Sequence, residues 1–179
     1  MIDKNCAAAV KHHAMNAITE LTALLHACEG QCSAEEYESF RKGVGLSIGA
    51  VHDQLLRAIF SAYPELNHLR DLQFVEKNQN SRVSRPNSLN SKVNASMPGG
   101  IEMSRERALI CRNHGLEALN EISGAVYDCQ GYCTEEDFEV LKLSAGHAVG
   151  KIYSQLLAPI YSKYPEIDHR HYEDKSQLE

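Results

Sequence analysis

Residues 28–66 read CEGQCSAEEYESFRKGVGLSIGAVHDQLLRAIFSAYPEL, and residues 129–167 read CQGYCTEEDFEVLKLSAGHAVGKIYSQLLAPIYSKYPEI. The second stretch follows the first at a constant offset of 101 residues, without a gap. Identical pairs include Cys28/Cys129, Gly30/Gly131, Cys32/Cys133, Gly45/Gly146, Gly49/Gly150, Leu56/Leu157, Tyr63/Tyr164 and Pro64/Pro165. The same register reaches back to His13/His114, Ala17/Ala118 and Glu20/Glu121, and forward to His68/His169. So many matches at one spacing point to an internal duplication.

Each copy carries two helical patterns. On a helical wheel centred on Val10, residues Ala14, Ala17, Ile18, Leu21, Leu24, Leu25 and Cys28 share one face, so 4–29 reads as an amphipathic helix. Gly30 is placed as the left-handed residue after its end. Ser33 with Glu36 forms a capping box that starts a second helix, and Thr134 with Asp137 is the looser equivalent. That helix should run to Ala62, because the residue before Pro64 is pushed out of the helical region. Residues 104–129 and 134–163 repeat the plan. Pro159, where the first copy has Ala58, is expected to kink the second copy alone.

One hairpin cannot bury both sides of a core. The expected fold is therefore all-α: a duplicated αα-hairpin closing as a pseudo-two-fold four-helix bundle, the fused form of a homodimeric ancestor. Residues 1–71 form the first hairpin repeat and 104–179 the second. Residues 72–103, rich in Asn and Ser without periodicity, read as a flexible linker. A glycine inside a helix costs about 1 kcal/mol relative to alanine. Gly45, Gly49, Gly146 and Gly150 are accordingly expected at a helix crossing, where close backbone approach offsets that cost.

Composition narrows the function. The chain has 179 residues, 43% of them hydrophobic, and a net charge of −6. These values suit a globular domain and argue against a nucleic-acid partner. No apolar run is long enough for a bilayer, and the opening MIDKNCAAAVKHHAMNA lacks the pattern of a secretory signal. The expectation is a cytoplasmic chain with thiols mostly reduced, monomeric as a fused pseudo-dimer, with further dimerisation left open.

Three sets of residues could carry chemistry. Cys28-x3-Cys32 and Cys129-x3-Cys133 bracket the hairpin turns. They could be buried free thiols closing the core, disulfides across each turn, or, with both turns at one end, four ligands for zinc. His13 with Glu20, and His114 with Glu121, lie seven residues apart along a helix and flank the apolar stripe. They could line a groove site or form bridging hydrogen bonds at the interface. Tyr63, Pro64 and His68, mirrored by Tyr164, Pro165 and His169, either stop the helix over the core or present a rigid aromatic anchor to a partner.

No nucleophile elbow, phosphate loop, dinucleotide fingerprint or zinc-protease helix occurs. No catalytic residue and no cofactor is therefore expected. The leading expectation is a non-catalytic interaction protein (an adaptor, inhibitor or immunity-type factor) whose partner is another protein. The alternatives are a thiol-redox or metal-responsive sensor at the paired turns, and a small-ligand carrier or bundle enzyme at the His13/Glu20 groove.

Overall fold

The structure, a computed structural model, describes residues 2–67 and 103–168. The linker read at 72–103 lies, except for Met103, outside them, as do His68 and His169. Every regular element among the described residues is helical, and none is a strand.

The caps act where the local sequence puts them. Asp3 accepts from the Asn5 and Cys6 amides at 2.8 Å each and starts α1 (Lys4–Cys28). Gly30, at φ 66°, turns the chain. Ser33 and Glu36 then exchange capping bonds at the start of α2 (Ala34–Val51). A π-helical turn (His52–Leu56) leads into α3 (Arg57–Ala62), and Pro64–Leu66 forms a single 3-10 turn.

The second half repeats this order. Ser104 caps α4 (Arg105–Cys129), and Gly131 turns at φ 80°. Thr134 caps α5 (Glu135–Ile152), and a π-helical turn (Tyr153–Leu157) precedes α6 (Ala158–Lys163) and the 3-10 turn Pro165–Ile167. The helix irregularity expected in the second half alone occurs in both: π-helical turns stand at matching places, and that of the second half lies before Pro159. Pro159 falls in the first turn of α6, where a missing amide is tolerated.

The core lies between the halves more than inside either hairpin. α1 and α4 make the most extensive contact, α2 packs on α1 and α5 on α4, and α2 meets α5. α1 and α4 run antiparallel: Cys28 near the end of α1 meets Cys111 early in α4, and Cys6 meets Cys129 in reverse order. Ala7, Ala14 and Ala17 on α1 and Ala108, Ala118 and Ala125 on α4 are all buried. Side chains this small let the two axes approach. Val10, Leu21, Leu24 and Ile122 fill the remaining space, each contributing about 1.5–3 kcal/mol by leaving water.

The glycine expectation is overturned. A Cβ built on Gly45, Gly49, Gly146 or Gly150 meets nothing within 4 Å, and all four are exposed. Close approach occurs instead at Gly43, whose Cβ would lie 2.9 Å from both the Gln155 carbonyl oxygen and Leu156 Cδ2. It also occurs at Gly115, 2.7 Å from Leu157 Cδ2, and at Gly124, 2.8 Å from His13 Cε1. The buried stripe of α2 is Gly43, Val44, Ser47 and Val51. Gly45 and Gly49 are on its other side, and the halves meet through Gly43.

Candidate functional site

The seam between α1 and α4 carries the paired histidines. His13 does not bond Glu20 of its own helix. Its Nδ1 lies 2.8 Å from Glu121 Oε2 and its Nε2 3.0 Å from Asp128 Oδ2, both on α4. Asn16 also donates to Glu121 Oε2 at 3.2 Å. In return, His114 Nδ1 lies 2.7 Å from Glu20 Oε2. Antiparallel pairing explains the exchange, because residues equidistant from the α1–α4 crossing come face to face.

Burial alone would lower the His13 pKa. Its bonds to Asp128 and Glu121 outweigh this and raise it above the usual histidine value. Burial likewise works against the Glu121 carboxylate, but His13 and Asn16 hold its pKa below the ordinary range. The groove expected here is filled: the His13 ring lies against Gly124, and none of the main clefts formed by the described residues is lined by His13, Glu20, His114 or Glu121. The arrangement binds helix to helix.

Three thiols gather at each end of the α1–α4 pair. At one end Cys28 Sγ lies 3.0 Å from Cys111 Sγ, and Cys32 donates to the Cys28 carbonyl at 3.3 Å. At the other, Cys129 and Cys6 neighbour each other, and Cys133 donates to the Cys129 carbonyl at 3.4 Å. All six are free. The turns stand at opposite ends of an antiparallel pair about 36 Å long, so Cys28, Cys32, Cys129 and Cys133 cannot share one zinc ion. Among the described residues no group of three or more His, Cys, Asp or Glu side chains is arranged to hold a metal.

Cys6 and Cys111 escaped the sequence reading. Their counterparts 101 residues away are Arg107 and Val10, so matching the copies passes over them. Their place on the apolar faces of the first helices was the available signal.

The tyrosines of the Tyr-Pro motif turn inward. Tyr63 Oη donates to the Ile2 carbonyl at 2.8 Å, and Tyr164 Oη donates to the Met103 carbonyl. Each ties the end of the second helical rod to the segment entering the first. Each hydroxyl's proton is engaged within the chain; Pro64 and Pro165 remain exposed. Glu36 extends this tie across the halves, accepting from the Met103 amide at 3.1 Å and from Lys163 Nζ at 2.6 Å.

Two equivalent clefts of about 160 Å3 lie beside these tyrosines. One, with Ile2, Ala62 and Val140 in its wall, is largely apolar; the other has Glu36 and Lys163 in the matching wall. A third, shallower groove of about 480 Å3 runs along the open faces of α2 and α5, lined by Gly45, Leu46, Gly49, Asp53, His147 and Lys151. Leu46 in its wall is 47% exposed, and Val140 and Leu143 elsewhere on α5 are 59% and 65% exposed. No described helix is long and apolar enough to cross a membrane.

No family model, curated protein or solved structure matches the chain.

Proposed function

We propose that the chain is a non-catalytic interaction protein, an adaptor, inhibitor or immunity-type factor, that seats a helix of another protein along the open faces of α2 and α5. The observation that carries this is the set of Gly45, Gly49, Gly146 and Gly150. They stand in mid-helix with nothing within 4 Å of the missing methyl, and Gly45 and Gly49 line the groove beside exposed Leu46. Four such glycines cost about 4 kcal/mol in helix propensity, and no contact within the described chain offsets it. A partner helix lying on the groove would offset it through close backbone approach. The face is doubled because the chain is a fused homodimer. Supporting this, the His13–Glu121 and Glu20–His114 bonds, and the Tyr63–Ile2 and Tyr164–Met103 bonds, are pairs related by the same offset.

The test places a photo-crosslinking amino acid at Leu46 or His147 of the full chain, in native lysate. The expected result is one adduct of the same mass from both positions, lost when Gly45→Phe and Gly49→Phe fill the groove. No adduct, an adduct indifferent to the two phenylalanines, or an adduct of twice the chain's own mass would each overturn the proposal.

A further inference from the structure

The contact between Cys28 and Cys111 has no counterpart in the hairpin plan. Both side chains are fully buried, and their sulfurs stand 3.0 Å apart, about 1 Å beyond a covalent bond. One belongs to each half, 83 positions apart in the chain. Cys32, four residues past Cys28, is only half-buried, and its thiol is already turned toward the Cys28 carbonyl.

We propose that Cys28 and Cys111 form a reversible disulfide that locks the two halves together, with Cys32 as the thiol through which oxidation enters. The oxidant class is a low-molecular-weight disulfide, RSSR. The Cys32 thiolate attacks one sulfur of RSSR, forming a mixed disulfide and releasing one thiol. Cys28 then attacks the Cys32 sulfur and releases the second thiol. Cys111 attacks the Cys28 sulfur and expels Cys32 as a thiol. Two protein thiols are oxidised, one RSSR is reduced to two RSH, and Cys32 is regenerated.

Position rather than acidity suits Cys32 to its role: burial, Cys28 and Glu36 push its thiol up, but it is the less buried thiol next to the pair. Cys111 is held below the ordinary thiol pKa, first by the hydrogen bond from Cys28 and then by the nearby Arg107 cation. Cys28 is pushed up by that same bond and by burial. Once Cys28 is joined to Cys32, the 3.0 Å approach of Cys111 to the Cys28 sulfur places it to attack there. At the opposite end, the charge that bears on the thiol pair is Asp3 and not a cation. Burial and Asp3 push Cys6 up, while burial and the adjacent Cys6 push Cys129 up to about 12. That end serves as an internal control.

The inference does not depend on the interaction reading and is tested without a partner. The reduced full-length chain is treated with oxidised glutathione, and the products are mapped by peptide mass spectrometry without reduction. The expected product is a Cys28–Cys111 crosslink that consumes two of the six thiols. It should be reversed by dithiothreitol and raise Tm by about 10 °C, because it closes a long loop. Cys32→Ser should slow its formation at least tenfold without changing the product. Cys111→Ser should leave Cys28 joined to Cys32 or to glutathione. Cys28 still alkylated in the unfolded chain after Cys32 has reacted would overturn the proposal, as would crosslinking of Cys6 to Cys129 at the same rate. Should Cys111→Ser fail to fold, the wild-type map and the Cys32→Ser rate still decide.

Discussion

His13 and His114 hold corresponding places in the two halves, yet only His13 is bracketed by two carboxylates. Asp128, the second of them, corresponds to Ala27 in the first half. The thiol ends differ in the same way. Where one has Arg107 and Cys111 beside Cys28, the other has Cys6 and Val10 beside Cys129. The paired clefts differ too, with Lys163 in one wall and Ala62 in the other. Residues common to both halves (Ala7/Ala108, Ala17/Ala118, Leu56/Leu157, Tyr63/Tyr164 and the turn glycines) hold the bundle. Residues that differ give a repeated scaffold two unlike ends. The charges and thiols that distinguish the halves lie in the departures from the repeat.

The comparison breaks first if the shared core positions are not equivalent. Leu56 and Leu157 are both buried beneath the π-turns. Leu56→Ala and Leu157→Ala should each lower unfolding stability by about 3 kcal/mol, measured by denaturant titration. A difference above about 1.5 kcal/mol between them would mean that one half dominates the core.

Glycines test it next. Gly43→Ala brings a methyl against the Gln155 backbone carbonyl, which cannot yield as a side chain tip can. A loss of about 2 kcal/mol is expected, despite alanine's better helix propensity. Gly49→Ala and Gly150→Ala meet open space in both halves, so each should raise stability by about 0.5–1 kcal/mol. Thermal melts of the three variants check the signs. A stabilising Gly43→Ala would remove the close approach from the account of the fold.

These glycines also mark where sequence reading stops. Capping by Ser33 and Glu36, the turns at Gly30 and Gly131 and the stop at Tyr63–Pro64 rest on interactions within a few residues, so the local sequence contains them. Gly43 and Gly45 are two positions apart, and a helical wheel gives their relative directions but not which side meets α5. The π-turns carry no local marker such as proline, since the first half forms one with Ala58 where the second has Pro159. His13 and Glu121 were both visible as shared residues. That they meet each other, and that His13 does not pair with Glu20, follows only from the antiparallel contact of α1 and α4. Cys111 was hidden for the opposite reason, because its partner in the alignment is Val10.

The smallest effect separates the two histidines. The folded pKa of His13 is raised above the ordinary 6.5, so its charge contributes stability that is fully present below 6.5 and is lost as pH rises through the folded value. Glu121 is held below its ordinary 4.5, so its contribution is present above 4.5 and fades as pH falls through the lowered value. The bracket is therefore strongest between those limits. His13→Gln keeps a hydrogen bond but not the charge, and should cost about 0.5–1 kcal/mol near pH 5.5, shrinking toward zero near pH 9. Asp128→Ala should remove roughly half of that, and Ala27→Asp should give His114 a second carboxylate and a gain of a few tenths of a kcal/mol at pH 5.5. Gly124 leaves room for the His13 ring, whereas its counterpart Ala23 carries a methyl, so the rebuilt site should fall short of the natural one. Equal losses at pH 5.5 and pH 9 for His13→Gln would reduce the bracket to packing, and with it the distinction between the halves at this seam.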